Sequence, residues 1–157
     1  MDKIRIGGIM QNAHLALLSV AAVPDRPGTA AAVLSGLGDR GVNVQFIVQS
    51  IDERNRDQVA VCVDRDDLET ALEIVNQIAP EIEAGKVVAH PQAAIVSIFG
   101  PDFRERPGIA GTMFKALANR GINILAISTS ISTVSCVINS ADLEAALDAL
   151  RDTFELP

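Results

Sequence analysis

"RPGTAAAVLSGLGDRGVNVQFIVQS" occupies residues 26–50, and "RPGIAGTMFKALANRGINILAISTS" occupies residues 106–130. The two segments register 80 positions apart, with Arg, Pro, Gly, Ala, Leu, Arg, Gly, Asn, Ile and Ser recurring in step. Farther along, "DLETAL" from Asp67 matches "DLEAAL" from Asp142, a separation of 75, so the second copy is five residues shorter. The shortening falls between two predicted strands, where a hairpin loop contracts at little entropic cost. A repeat of this length is two copies of one small module and not a solenoid.

Each copy carries the same order of elements. "LALLSVAAV" (15–23) is an apolar, β-rich run. "PGTAAAVLSGLGDR" (27–40) predicts a helix, with Pro27 at its first position and Gly41 after its last turn. "VNVQFIVQS" (42–50) and "DQVAVCV" (57–63) read as strands. "RDDLETALEIVNQI" (65–78) is an amphipathic helix with an acidic first turn, which suits the helix dipole. "GKVVAH" (85–90) closes the set as a strand. The order βαββαβ is an α+β, ferredoxin-like arrangement, an antiparallel sheet with two helices on one face.

The second copy starts at "AAIVSIFG" (93–100) and has only "ELP" left after its second helix, so its fourth strand is missing. "KIRIGGIM" (3–10) stands ahead of the first copy with no place in it. The economical reading makes this N-terminal strand complete the second sheet. The first module, residues 14–90, is then inserted into the second, residues 1–13 with 91–157, and "HPQAA" (90–94) is the join.

Composition narrows the function. Of 157 residues, 48% are hydrophobic and only 3% aromatic, with no Trp or Tyr, so any core is built from Val, Ile, Leu and Ala. The net charge of −7 opposes nucleic-acid binding, which draws its affinity from Lys and Arg. RNA-recognition modules share the βαββαβ order, but the five Phe here form no base-stacking motif. No window of 18 apolar residues and no signal-peptide pattern occurs, so a cytoplasmic protein without membrane contact is expected.

Cys62 and Cys136 sit within strand-like runs and read as reduced core thiols. Pairing either with His14 or His90 as nucleophile and base is disfavoured, because mid-strand thiols are inert. No CxxC or HExxH is present. The acidic runs "DERNRD" (52–57), "DRDDLE" (64–69) and "EIEAG" (81–85) read as solvated turns and caps. No catalytic residue, metal or cofactor is expected.

The turn used twice has a binding logic. The first N–H groups of a helix lack internal partners and form a ready anion site. Glycine there lets another group approach the backbone closely. Asn43 and Asn123 stand at the following strands with both donors and acceptors. A helix start for a carboxylate, with carbonyls and an Asn for an amine, makes a small amino-acid receptor when a second module packs there.

"VPDRPG" (23–28), "VNVQFIVQ" (42–49), "GINI" (121–124) with "ISTS" (127–130), and the terminal "ALRDTFEL" (149–156) resemble the tandem ACT domains at the C-terminus of aspartate kinases. The resemblance covers almost the whole chain. It implies a non-catalytic regulatory subunit or C-terminal regulatory fragment, since the amino-acid kinase domain that precedes these modules in the family is not in this sequence. It also implies a homodimer, an aspartate kinase catalytic domain or subunit as partner, and feedback by threonine or lysine at ACT–ACT interfaces. Carried over by position, the first ligand turn is Asp25, Arg26, Pro27, Gly28, Thr29 and Ala30, with Asn43, Val44, Gln45 and Gln49 from the strand. The second copy contributes Phe103, Arg104, Asn123, Ile124 and Thr129. The family usually has Asp where this chain has Gln45, Glu where it has Ile131, and Thr-Asp where it has Asp57-Gln58. A lysine side chain would then miss a counter-ion, which favours threonine. A ligand-free ACT scaffold, or a sensor for a different enzyme, is the alternative.

Overall fold

Leu18 and Val20 alternate along one strand, and Val59, Val61 and Val63 along its neighbour; all five are buried. This period-2 pattern gives each sheet one face to be covered. The computed structural model describes residues 2–101 and 103–157. Its elements are β1 (Ile4–Arg5), β2 (Gly8–Pro24), α1 (Thr29–Asp39), β3 (Val44–Ile51), β4 (Arg56–Asp64), α2 (Leu68–Ile78), β5 (Lys86–Phe99), α3 (Ile109–Asn119), β6 (Ile124–Thr129), β7 (Thr133–Asn139), α4 (Leu143–Thr153) and β8 (Phe154–Glu155). Short 3-10 turns, Arg65–Asp67 and Ser140–Asp142, lead into α2 and α4. No helix among the described residues is long and apolar enough to cross a membrane.

The chain divides into two compact units, His14–Ala93 and Met1–Ala13 with Ala94–Pro157. The first unit is thus inserted into the second. In the His14–Ala93 unit the strands run β5-β2-β4-β3. β4 pairs antiparallel with both β2 and β3. Val33 and Leu37 of α1 and Ala71, Ile74 and Val75 of α2 pack against the valines of the sheet. In the other unit the order is β2-β5-β7-β6, again a ferredoxin-like sheet. Met113 and Leu117 of α3, with Leu147 and Leu150 of α4, fill its core.

Two expected elements differ. The run 3–10 is not one strand: Ile4–Arg5 pairs in parallel with Phe154–Glu155, and Ile6 N–H donates to Glu155 O at 3.0 Å. The strand that completes the second sheet is the opening half of β2, from Gly8. Likewise the runs 85–90 and 93–100, read as separate strands on either side of the join "HPQAA", are one strand, because β5 runs without interruption from Lys86 to Phe99. Each of these long strands serves one unit with one half and the other unit with the other.

Both "RG[VI]N" segments are helix stops. Gly41 is left-handed at φ 77°, its N–H bonds Gly38 O at 3.0 Å, and Val42 N–H bonds Leu37 O at 2.9 Å. Gly121 and Ile122 repeat this at the end of α3. The paired bonds close the free carbonyls of the last turn, and the buried Val42 and Ile122 pin them to the cores.

The helix pairs differ between copies. A Cβ on Gly36 would run into the Cδ1 of Ile78, so α1 and α2 meet through a glycine. Ala116 and Thr153 hold those places in the second copy. With Thr112, Lys115 and Asn119 they line an open cleft of about 330 Å³.

Candidate functional site

The Pro-Gly turn is built alike in both units. Gly28 (φ 99°) and Gly108 (φ 89°) each cap a helix in the left-handed conformation. Proline therefore lies outside the helix, not at its first position as the sequence suggests. No side chain caps either helix, so the first-turn N–H groups are left to solvent or a ligand. A Cβ at either glycine would meet nothing within 4 Å. Glycine is needed for its backbone angle, and the space in front of it is open.

In the His14–Ala93 unit the turn is tied down from the side. Asp25 N–H donates to Asn55 O at 3.0 Å. Arg26 points outward, its Nη2 on Glu81 O at 3.0 Å and its Nη1 3.7 Å from Glu83. Thr29 is buried, and its hydroxyl donates to Arg26 O at 3.2 Å. Pro27, Gly28 and Ala30 then present backbone at the helix start.

Asp57 departs from the solvated turn that the run 52–57 suggests: it is 0% exposed. It lies in phase with Val59, Val61 and Val63, on the face the helices cover; that alternation was the available signal. Gln49 Nε2 donates to Asp57 Oδ2 at 3.1 Å, while Oδ1 is buried with no partner. Burial, then Asp25 through its charge and through a side-chain hydrogen bond that favours the protonated acid, raise the Asp57 pKa above its usual range; Gln49 opposes this, and Asp52 adds to it. Gln49 and Asp25 are thus brought together at the Gly28 end of α1.

Asn43, Val44 and Gln45 are not. They follow the far end of α1, whose 11 residues span about 16 Å. Asn43 and Gln45 are exposed. Within one unit they do not reach the Gly28 turn. Asn123 and Ile124 stand in the same relation to Gly108.

In the other unit a cleft of about 240 Å³ opens at Gly108, lined by Phe103, Arg106, Pro107, Ile109, Ala110, Thr129, Ser130 and Val134. Phe103 and Thr129 therefore meet the turn, and Arg104 is not in the lining. Arg106 and Ser130 are additions. Phe103 is set against Gly100, where a Cβ would lie 2.9 Å from the ring.

Family models for the ACT domain match residues 17–80 and 96–154. The regulatory subunit of aspartate kinase from Thermus thermophilus, solved in a ligand-free form, is 34% identical with a TM-score of 0.86, covering 96% of this chain and 99% of that one. This chain belongs to the ACT-domain regulatory family of aspartate kinases. A solved structure of aspartokinase alpha and beta subunits is 31% identical with a TM-score of 0.86, covering 94% of this chain and 97% of that one. The aspartokinase of Pseudomonas aeruginosa is 40% identical over 156 residues, 99% of this chain. The chain spans 38% of the length of that curated relative.

The rest of the ACT pair offers little reactive chemistry. Cys62 and Cys136 are free and buried, and burial pushes each thiol up to about 12. His14, Asp64 and Asp66 bring ligand atoms within 4.8 Å of one another in a largely exposed group. Asp64 there caps the 3-10 turn through Asp66 N–H at 2.9 Å.

Proposed function

We propose that this ACT pair is the allosteric regulatory part of an aspartate kinase. It binds a feedback amino acid, threonine ahead of lysine, at interfaces between ACT domains of two copies, and it joins those copies as a homodimer. The observation that carries this reading is the uncapped start of α1 at Gly28, open to solvent beside Gln49 and Asp25. A ligand carboxylate there receives free N–H donors and the positive end of the helix dipole. Gln45 and Ile131, neutral and exposed, offer no counter-ion to a second ammonium, which favours threonine.

Dimerisation is supported by the outermost strands. β3 exposes Ile47 (37%) and Ile51 (57%); at matching positions β6 exposes Ile127 (42%), and Ile131 (66%) follows just beyond its end. Exposed apolar edge strands are pairing surfaces. A second copy also supplies Asn43 and Gln45, which one unit cannot bring to its own turn. Binding then favours one packing of the copies, and a kinase catalytic domain or subunit responds to that difference.

Calorimetric titration with threonine, lysine and the remaining amino acids, with mass recorded alongside, tests this. Saturable threonine binding, lost in Gly28→Val, is expected. No heat and no mass change with any amino acid would sink the sensor reading and leave a ligand-free ACT scaffold.

A further inference from the structure

We propose that the cleft between α3 and α4, on the second ACT domain, is a binding site for a small hydroxycarboxylate anion. The site is separate from the Gly28 turn and independent of the effector reading above.

The cleft of about 330 Å³ is lined by Thr112, Lys115, Ala116, Asn119 and Thr153. Clefts that hold small molecules begin at about 300 Å³. Every lining residue differs from its counterpart in the first unit, where Ala32, Ser35, Gly36, Asp39 and Ile78 hold the matching places. There Ile74 and Ile78 close over Gly36. Ala149 and Thr153 are the shorter side chains that open the second copy. The same exchanges alter the chemistry. Lys115 and Asn119 replace a serine and an acid, and two threonines replace apolar side chains.

The positive charge in the cleft is uncompensated. α3, IAGTMFKALAN, contains no acid. On α4, Asp152 is held by Arg120 at 2.7 Å, and Asp148 lies 3.6 Å from Arg151. Glu144 is at the opposite end of α4 from Thr153, roughly 13 Å along the helix axis. Among the described residues neither Lys115 nor Asn119 has an ion-pair or side-chain hydrogen-bond partner. An ammonium and an amide with free N–H groups are a donor pair for a carboxylate.

The threonines set the rest of the ligand. Thr112 Oγ1 donates to Gly108 O at 2.9 Å, and Thr153 Oγ1 donates to Ala149 O at 2.6 Å. Both hydroxyl protons are committed to helix carbonyls, so each oxygen offers the cleft lone pairs alone. A donor on the ligand has to meet them. A hydroxyl does so without charge. An ammonium would stand near Lys115 with no free carboxylate in the lining to offset the repulsion.

Titration calorimetry of the full chain with L-lactate, propionate and L-alanine tests the site. The three share one frame and carry a hydroxyl, a hydrogen and an ammonium in turn. L-lactate is expected to bind saturably, with propionate and L-alanine at least tenfold weaker. Lys115→Met, at an exposed position, is expected to weaken L-lactate at least tenfold. Ala116→Gly combined with Thr153→Ile copies the first unit, fills the cleft and abolishes L-lactate binding. Thermal melts report the folding of both variants, and threonine titrations are expected to be the same in both as in wild type. No L-lactate binding to wild type, equal binding of propionate, or unchanged L-lactate affinity in Lys115→Met overturns the cleft site. Absence of threonine binding with L-lactate binding intact sinks the effector reading and leaves the cleft site standing.

Discussion

The side-chain amide of Gln49 donates to Oδ2 of Asp57 at 3.1 Å, and the other oxygen of that acid is left without a donor. The pair joins β3 to β4 at the end of the sheet from which the chain turns into α1. Its imbalance has a consequence in the absence of any ligand.

The folded chain holds the Asp57 proton more tightly than the unfolded chain, whose carboxyl titrates near 3.8. Between that pH and the higher folded value the native state binds more protons, so stability falls as pH rises. Asp57→Asn removes this titration and gives Asp25 an amide donor. Thermal melts from acid to neutral pH are expected to show the variant more stable at neutral pH, with the gap closing as pH falls toward 3.8.

Gly28→Ala and Gly108→Ala carry a backbone cost only, since a Cβ meets nothing at either place. Each variant is expected to lose about 1–2 kcal/mol in urea unfolding. Asparagine, which tolerates the left-handed region, costs less at the same positions.

Leu37 and Leu117 are fully buried at matching places in the two cores. Truncating either to alanine is expected to cost roughly 2–5 kcal/mol, read from denaturant midpoints at unchanged slope.

Both thiols are buried and pushed up to about 12. A thiol reagent at pH 8 should leave the folded chain unlabelled and react with both cysteines once it is unfolded. Rapid labelling of the native protein would contradict the burial.

Ile51→Lys places a charge on the exposed edge strand β3, and Ile131→Lys places one just beyond the end of β6. Light scattering is expected to show loss of the dimer, with melting temperature little changed. A mass unaffected by both changes would rule these edges out as the pairing surface.

The repeated segment was legible because duplication wrote the same signals twice: a turn glycine, a helix, a glycine stop and a strand. Other features were hidden by competing local cues. β2 carries exposed residues from Met10 to His14, and β5 carries exposed His90, Pro91 and Gln92; both stretches look like loops until pairing holds them extended. Proline in particular argues against a strand when pairing partners are unknown. Asp57 was lost among neighbouring charges, although its phase with Val59 and Val61 places it on the covered face. Pro27 was drawn into the helix by a general preference, and the positive φ of Gly28 displaced it by two positions.

The contact of Gly36 with Ile78 bears on the history of the duplication. One copy closes its helix pair with a bare backbone under a large side chain; the other uses Ala116 with Thr153 and leaves a cleft. A crossover that moved α3 into the place of α1 would set a methyl group against Ile78, and the reverse exchange would widen a gap already open. The halves have therefore ceased to be interchangeable parts. Recombination between them is penalised at this joint, so each is free to keep a ligand chemistry that the other does not share.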